Sequence, residues 1–283
     1  MMSTSAPVGR VAVVTGANKG IGYFVALQLG MSGLFEYLVL GCRDEKRGQE
    51  ALASMTLLLP PTVKASCVPL AIGDHKSHVA FKEKMDQLFD GSVDVLVNNA
   101  GTAFKGNDPT PFAEQTKPTL DVNYRGTVDF TQEMLPLLRK AGKKTGNARI
   151  VTVASMSGKL SQVSRDLQEK FSSPSLTIPE LNQLMDEFEA DVKAGNHASK
   201  GWSNTNYGMS KLGVIAATKV LAREEAQNGI FVNCCCPGYC DTDMTSHKGP
   251  RSPEEGAKNA VLPATMENPP QGEFFSDFKI GQW

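Results

Sequence analysis

Short apolar runs alternate with longer helical patterns along most of the chain, and this alternation constrains the fold more than any other feature. Strands are predicted at Val11–Thr15, Tyr37–Leu40, Lys64–Pro69, Val93–Asn98, Arg149–Val153, Phe231–Cys236 and near Phe274. Helices are predicted to begin near Gly20, Asp44, His75, Pro118, Thr127 and Asn206. Strands that alternate with helices form a parallel sheet covered by helices on both faces. The sequence therefore predicts a doubly wound α/β domain, with ligands bound beyond the carboxyl ends of the strands.

Residues 159–201 interrupt the alternation. They lie between a predicted strand and the next predicted helix, and this stretch is far too long for a turn. Thr177 and Glu180 have the spacing of a capping box, which marks the start of a helix. The apolar residues that would share one face of this helix are Leu181, Leu184, Met185, Phe188 and Val192. We expect a helical insertion packed on the body of the domain.

Composition narrows the class of protein. The 283 residues contain no obvious linker and suit one large domain, spanning residues 1–283. With 41% hydrophobic residues and a formal charge of −1, the chain lacks the basic surface of a nucleic-acid-binding protein. It shows neither a signal-peptide pattern nor an apolar run long enough to span a membrane. We expect a cytoplasmic protein with no nucleic-acid or membrane partner.

Six cysteines lie at positions 42, 67, 234, 235, 236 and 240. No C-x-x-C pair occurs, and no histidine lies close enough in sequence to complete a zinc pattern, so neither a disulfide framework nor a metal site is expected. The run Cys234–Cys236 follows an apolar segment and is interpreted as part of a buried strand, with a redox role left open.

A glycine-rich segment, Thr15-Gly16-Ala17-Asn18-Lys19-Gly20-Ile21-Gly22, follows the first predicted strand. Small residues there let backbone amides and a helix N-terminus approach a pyrophosphate closely. The T-G-x-x-x-G-x-G spacing differs from the common G-x-G-x-x-G fingerprint. The predicted contacts to a dinucleotide are Gly16, Asn18, Lys19, Gly20, Ile21 and Gly22.

The end of the second strand, Leu40-Gly41-Cys42-Arg43, indicates which dinucleotide binds. A site for NAD places an acidic side chain there, against the ribose 2′-hydroxyl. Arg43 can instead pair with a 2′-phosphate, and Lys19 could add a second positive charge. The sequence therefore favours NADP(H).

Two further segments carry candidate catalytic groups. Tyr207 and Lys211 are spaced i and i+4, which puts both on one face of a helix. A neighbouring cation lowers the pKa of a phenol toward the range that is useful for proton transfer. Ser155 follows the predicted strand Arg149–Val153, at the edge of the sheet where ligands bind, and its hydroxyl can hold a carbonyl oxygen.

Five motifs in order resemble the short-chain dehydrogenase/reductase family over nearly the whole chain. They are the glycine loop, Asn98-Asn99-Ala100-Gly101, Asn123 with Gly126, Ser155, and Tyr207 with Lys211. The resemblance implies that Tyr207 is the general acid and base, while Ser155 orients the carbonyl group. It implies that Lys211 lowers the pKa of Tyr207 and binds the nicotinamide ribose. Asn123 would be the proton-relay residue, which holds a water near the lysine.

The same resemblance supplies other expected contacts. Those to the cofactor are Ile72, Asn99, Ala100, Gly101, Tyr207, Lys211, Pro237, Gly238, Cys240 and Thr242. Those to the substrate are Ser155, Tyr239 and Met244. Ala71 stands where the family often has an aspartate against the adenine, so we expect backbone contacts there.

The long insertion before Tyr207, the Asn18-Lys19-Gly20-Ile21-Gly22 loop and the terminal Gln282-Trp283 resemble the carbonyl reductase branch of the family. Its members reduce aldehydes, ketones and quinones with NADPH and are typically monomers. The resemblance thus implies a monomeric carbonyl reductase that acts on small carbonyl substrates. Two alternatives stay open: an alcohol or sterol dehydrogenase working in the oxidative direction, and an NADPH-binding sensor without turnover.

Overall fold

The computed structural model describes residues 9–283, so the first eight residues lie outside the description. Its strands are β1 (Val11–Thr15), β2 (Tyr37–Cys42), β3 (Lys64–Pro69), β4 (Val95–Asn98), β5 (Ala148–Val153), β6 (Ile230–Cys236), β7 (Phe274–Ser276) and β8 (Lys279–Ile280). They form one sheet in the order β3-β2-β1-β4-β5-β6-β7-β8, parallel except for the antiparallel pair β7 and β8. The order reverses between β1 and β4, and such a reversal opens a crevice beyond the carboxyl ends of the strands.

Helices cover both faces of the sheet. They are α1 (Gly20–Met31), α2 (Glu45–Thr56), α3 (His75–Phe89), α4 (Phe112–Leu120), α5 (Thr127–Thr145), α6 (Arg165–Phe171), α7 (Ile178–Lys193), α8 (Asn206–Glu225) and α9 (Pro253–Thr265). One apolar core lies between the sheet and α1, α2 and α9, and a larger one lies beneath α3, α5 and α8. The prediction of a doubly wound parallel sheet is confirmed.

Local sequence signals explain most element boundaries. Asp44 caps α2 as predicted, since its Oδ1 accepts a hydrogen bond from the Arg47 amide at 3.0 Å. The central strands β1 and β5 are buried throughout, as their apolar runs predict. Cys234–Cys236 are buried in β6, which confirms the interpretation of that run as a strand.

The region around Pro118 differs from the prediction. The helix begins at Phe112, not near Pro118, and Pro118 lies within it. A proline inside a helix removes one backbone hydrogen bond, and the regular α-helix here ends two residues later. A π-helical turn follows over Asp121–Gly126 and leads directly into α5. The elements α6, α9 and β8 were not among those predicted.

The predicted amphipathic helix of the insertion is confirmed as α7. Thr177 and Glu180 form the reciprocal capping box, and the five predicted apolar residues are all buried. The helix packs against α4 and α8. Arg125, in the π-helical turn, forms ion pairs with Asp186 and Glu189 of α7 at 2.6 and 2.7 Å. The insertion is therefore part of the domain.

Among the helices formed by residues 9–283, none has both the length and the apolar composition needed to cross a membrane.

Candidate active site

The glycine loop joins β1 to α1 in a conformation that requires glycine. Gly16 and Gly20 have φ angles of +64° and +57°, in the left-handed region. A Cβ at Gly22 would lie 2.4 Å from the Gly16 carbonyl oxygen, so only glycine fits there. No side chain caps the N-terminus of α1. Its first amides therefore point to a space that suits a phosphate group.

Asn99, which follows β4, holds the glycine loop in place. Its Nδ2 donates to the carbonyl oxygens of Thr15 and Gly16 at 2.9 and 3.2 Å. In return, Thr15 Oγ1 accepts hydrogen bonds from the amides of Asn99 and Ala100, both at 3.0 Å. This Asn-Asn-Ala-Gly segment thus ties the ends of β1 and β4 together, which sequence reasoning did not predict.

The two candidate phosphate-binding cations have different surroundings. Arg43 is exposed at the end of β2 and forms no ion pair within residues 9–283. Lys19 Nζ instead pairs with Asp243 Oδ2 at 2.5 Å. Thr242, next to Asp243, lies close to Gly20, so the segment after β6 meets the glycine loop there. Of the two cations, Arg43 is therefore the one whose charge no described residue neutralises through an ion pair.

Tyr207 lies in the first turn of α8, where the Thr205 side chain caps the helix by accepting from the Gly208 amide at 3.1 Å. Burial of the phenol raises the pKa of Tyr207 to about 12, although a hydrogen bond with Ser155 acts in the opposite direction. Ser155 Oγ accepts from the Ser157 amide at 3.1 Å, which leaves its hydroxyl hydrogen available for another partner.

Lys211 lies one helical turn beyond Tyr207 and is buried. Its Nζ donates to the Val153 carbonyl oxygen at 2.7 Å and lies 5.6 Å from the centroid of the Tyr207 ring. Burial lowers the pKa of Lys211 to about 8. The expected lowering of the Tyr207 pKa is not produced by the protein residues alone, because burial of the phenol raises this pKa and outweighs the hydrogen bond with Ser155.

Asn123 lies in the π-helical turn, and its side chain forms hydrogen bonds with the segment after β4. Its Oδ1 accepts from the Thr102 amide at 2.7 Å, and its Nδ2 donates to the Thr102 carbonyl oxygen at 2.8 Å. A Cβ at Gly101 would lie 3.2 Å from Asn123 Oδ1 and 3.8 Å from Lys211 Nζ. Gly101 therefore lies close to both the asparagine oxygen and the lysine ammonium group.

The segment after β6 supplies the other predicted contacts. Pro237 and Cys240 are buried, and Gly238 has a φ angle of +85°. Tyr239 and Met244 expose 55% and 41% of their surfaces. Ile72, expected near the adenine, is half-buried beside the core beneath α3. The predicted site residues outside α8 and the π-helical turn therefore follow β1 to β6, at the carboxyl edge of the sheet.

Sequence reasoning missed several supporting contacts. Arg251 donates to the Pro237 carbonyl oxygen at 3.0 Å and to Asp277 at 2.8 Å, which fixes the segment after β6. Trp283 Nε1 donates to the Gly158 carbonyl oxygen at 2.9 Å, close to Ser155. Both contacts join segments that are distant in sequence, and no local pattern signals them.

His75, His78 and Asp129 form a cluster between α3 and α5. Both histidine Nδ1 atoms lie within hydrogen-bond distance of Asp129 Oδ2, at 2.9 and 2.6 Å. A metal on His78 Nδ1 would leave a protonated Nε2 buried without an acceptor, which is costly. We therefore interpret the cluster as a hydrogen-bonded contact between helices.

A family model described as short chain dehydrogenase matches residues 10–166 and 192–252. Residues 167–191, between the two matches, fall in the insertion. Carbonyl reductase (NADPH) 1 of Mus musculus is 41% identical to this chain over 292 residues. The match covers 100% of both proteins. The protein of the same name from Homo sapiens is 39% identical, with 97% of this chain and 98% of that protein covered.

Among solved structures, salutaridine reductase from Papaver somniferum superposes with a TM-score of 0.82 at 29% identity. The superposition covers 95% of this chain and 99% of the reductase. Menthone neomenthol reductase from Mentha piperita gives a TM-score of 0.77 at 28% identity, covering 94% and 98%.

Proposed function

Because the chain belongs to the short-chain dehydrogenase family, we propose that it is an NADPH-dependent carbonyl reductase. The observation that carries this proposal is the convergence of Ser155, Tyr207 and Lys211 at the edge of the sheet that also holds the glycine loop. Relatives that match over their full length are named as carbonyl reductases that use NADPH. The substrate class that we propose is aldehydes, ketones and quinones.

The residues present fit NADP(H). The uncapped N-terminus of α1 and the left-handed turn at Gly16 and Gly20 suit a pyrophosphate. Arg43 suits a 2′-phosphate, because its guanidinium group is exposed and free of an ion pair within the described residues. When bound, the cofactor supplies the hydride that reduces the carbonyl carbon.

We assign the proton chemistry to residues of the chain. Tyr207 gives its hydroxyl proton to the carbonyl oxygen, and Ser155 donates a hydrogen bond to the same oxygen. Lys211 is assigned to the nicotinamide ribose and to stabilising the tyrosinate that remains. Asn123 is assigned to a relay that returns a proton through water. Tyr239 and Met244, exposed beside the site, are assigned to the substrate cleft.

A turnover screen tests the proposal. The purified protein is supplied with NADPH and a panel of aldehydes, ketones and quinones, and NADPH consumption is followed together with the alcohol or quinol formed. Turnover of at least one class is expected. Strong oxidation of alcohols or sterols with no carbonyl reduction would support the dehydrogenase alternative, and cofactor binding without any turnover would support the sensor.

We further propose a cytoplasmic monomer. All six cysteines are free thiols, which suits a reducing compartment. Helix α7 packs against α8, so it occupies surface on the helix that carries Tyr207 and Lys211. Cell fractionation tests the location.

A further inference from the structure

Cys42 and Cys67 lie on adjacent strands at one edge of the sheet, and Cys42 directly precedes Arg43. Cys67 belongs to the edge strand β3 and pairs with Leu40, two residues before Cys42 in β2. Because side chains alternate along a strand, Cys42 and Cys67 occupy the same face as diagonal neighbours. The two thiols are close enough that each shifts the pKa of the other.

Gly48 of α2 leaves room for both sulfur atoms. A Cβ at this position would lie 2.4 Å from Cys67 Sγ and 3.4 Å from Cys42 Sγ. The two thiols therefore share one small space between α2 and the sheet. Cys42 is buried and Cys67 is half-buried, so a small oxidant has access to Cys67 first.

We propose that Cys42 and Cys67 form an oxidation site, where a hydroperoxide converts the two thiols into a reversible disulfide that weakens binding of the NADPH 2′-phosphate. The proposal rests on the proposed function, since it requires that Arg43 bind this phosphate.

The chemistry of the pair assigns a role to each thiol. The hydrogen bond from Cys42 favours the Cys67 thiolate and lowers the pKa of Cys67. The same bond, together with burial, raises the pKa of Cys42. Cys67 is therefore the nucleophile, and Cys42 is the resolving thiol.

Two steps complete the oxidation. The Cys67 thiolate attacks one oxygen of the hydroperoxide, the O–O bond breaks, and a sulfenic acid forms; the alkoxide takes up the proton that Cys67 lost. The Cys42 sulfur then attacks the Cys67 sulfur, and the hydroxyl group leaves as water with the Cys42 proton. Two thiols and one hydroperoxide thus give one disulfide, one alcohol and one water.

The disulfide would act on the cofactor site through the backbone. Closing the bond requires movement of the backbone at the ends of β2 and β3, because diagonal neighbours lie farther apart than the Cα atoms of an unstrained disulfide. The Leu70 amide donates to the Cys42 carbonyl oxygen at 2.9 Å in this region. Arg43 follows Cys42 directly. The backbone of Ala17, in the glycine loop, also acts on the Cys42 thiol, since it lowers the pKa that burial and Cys67 raise. A shift of Cys42 therefore reaches both the candidate 2′-phosphate ligand and the glycine loop.

The first measurement does not depend on turnover. Reduced full-length protein is treated with hydrogen peroxide, and the disulfides are mapped by mass spectrometry of peptides. A peptide pair joined through Cys42 and Cys67 is expected, and dithiothreitol should remove it. Oxidation of Cys67 to a sulfinic acid without this cross-link, or a cross-link elsewhere, would overturn the proposal.

The second measurement concerns the cofactor. After oxidation, the KM for NADPH should rise roughly tenfold, as for the loss of one charge-assisted hydrogen bond, while the KM for NADH and kcat change little. NADP⁺ binding by calorimetry should weaken in parallel. Cys67→Ser and Cys42→Ala should both resist peroxide, whereas Cys234→Ala, with the pair intact, should respond like the parent protein.

A cross-link that leaves NADPH affinity unchanged would refute the coupling to the cofactor. If neither form of the protein binds NADP⁺ or turns over, the proposed function fails, and with it this coupling, while the peptide map still reports on the thiol pair itself.

Discussion

At the scale of single residues, Tyr207 and Lys211 have pKa values that burial moves in opposite directions. The phenol keeps its proton because its pKa rises to about 12, while the ammonium of Lys211 loses its proton more easily, at a pKa of about 8. Burial penalises the charged form of each group. Of these two side chains, only Lys211 therefore carries a charge near neutral pH, and it does so below about pH 8.

We expect kcat/KM for carbonyl reduction to stay level up to about pH 8 and to fall at higher pH. The sign follows from the lowered pKa of Lys211, which carries a proton below this pH and loses it above. The measurement is the pH profile with one quinone substrate. In Lys211→Arg the side chain stays charged, so the fall should vanish from whatever activity remains. A profile that rises between pH 7 and pH 9 would contradict the assignment.

Tyr207→Phe removes the proton donor and keeps the ring. General acid catalysis contributes about 10²–10⁴-fold, so kcat should fall by that factor while NADPH binding, followed by fluorescence, stays nearly unchanged. Tyr37→Phe is the matched control, because its hydroxyl accepts a hydrogen bond from no described residue other than the exposed Lys64. Retention of more than about a tenth of the activity would rule out Tyr207 as the donor.

Arg43→Ala tests the cofactor preference. Loss of one charge-assisted hydrogen bond should raise the KM for NADPH by about 10- to 150-fold and leave the KM for NADH nearly unchanged. Arg47→Ala provides the control, since Arg47 is exposed on α2 and pairs with Asp44. Equal losses with both cofactors would instead indicate a structural role for Arg43.

At the scale of elements, α7 shows how the insertion joins the domain. Phe188 is fully buried and its ring packs against Trp202. Met185, one turn earlier, reaches α8 beside Gly213. The apolar face of α7 therefore belongs to the same core as the helix that carries Tyr207.

Phe188→Ala should lower the free energy of unfolding by about 3–5 kcal/mol, because it leaves a cavity in this core. Urea denaturation provides the measurement. Gln183→Ala, on the exposed side of the same helix, should change the stability very little. A loss below about 1 kcal/mol for Phe188→Ala would mean that α7 packs only loosely.

The elements also show how far the sequence predicts this fold and site. Strands β1 to β7 were predicted because most of them are apolar runs followed by a turn or helix signal. Tyr207, Lys211 and Arg43 could be proposed as site residues because their motifs are local. The start of α4 was mispredicted because Pro118 favours a first turn, yet here it lies inside a helix. The contacts of Arg251 and Trp283 depend on tertiary packing, which no local pattern encodes.

At the scale of the whole molecule, we expect a monomer in solution. Helix α7 covers part of α8, which family members often use for association, and Arg125 fixes it there through Asp186 and Glu189. Light scattering at micromolar concentration should give a mass near 30.4 kDa. A stable species of two or four times this mass would show that α7 leaves an association surface open.

The packing of α1 against α9 has a consequence for synthesis on the ribosome. Helix α1, which carries the glycine loop, packs along α9, and Gln28 Nε2 donates to the Glu254 carbonyl oxygen at 2.8 Å. The two helices lie near opposite ends of the chain. At translation rates of ~5–20 residues per second, α1 leaves the ribosome tens of seconds before its partner. The side of α1 that α9 covers has no partner during that interval, so the nucleotide site is completed late.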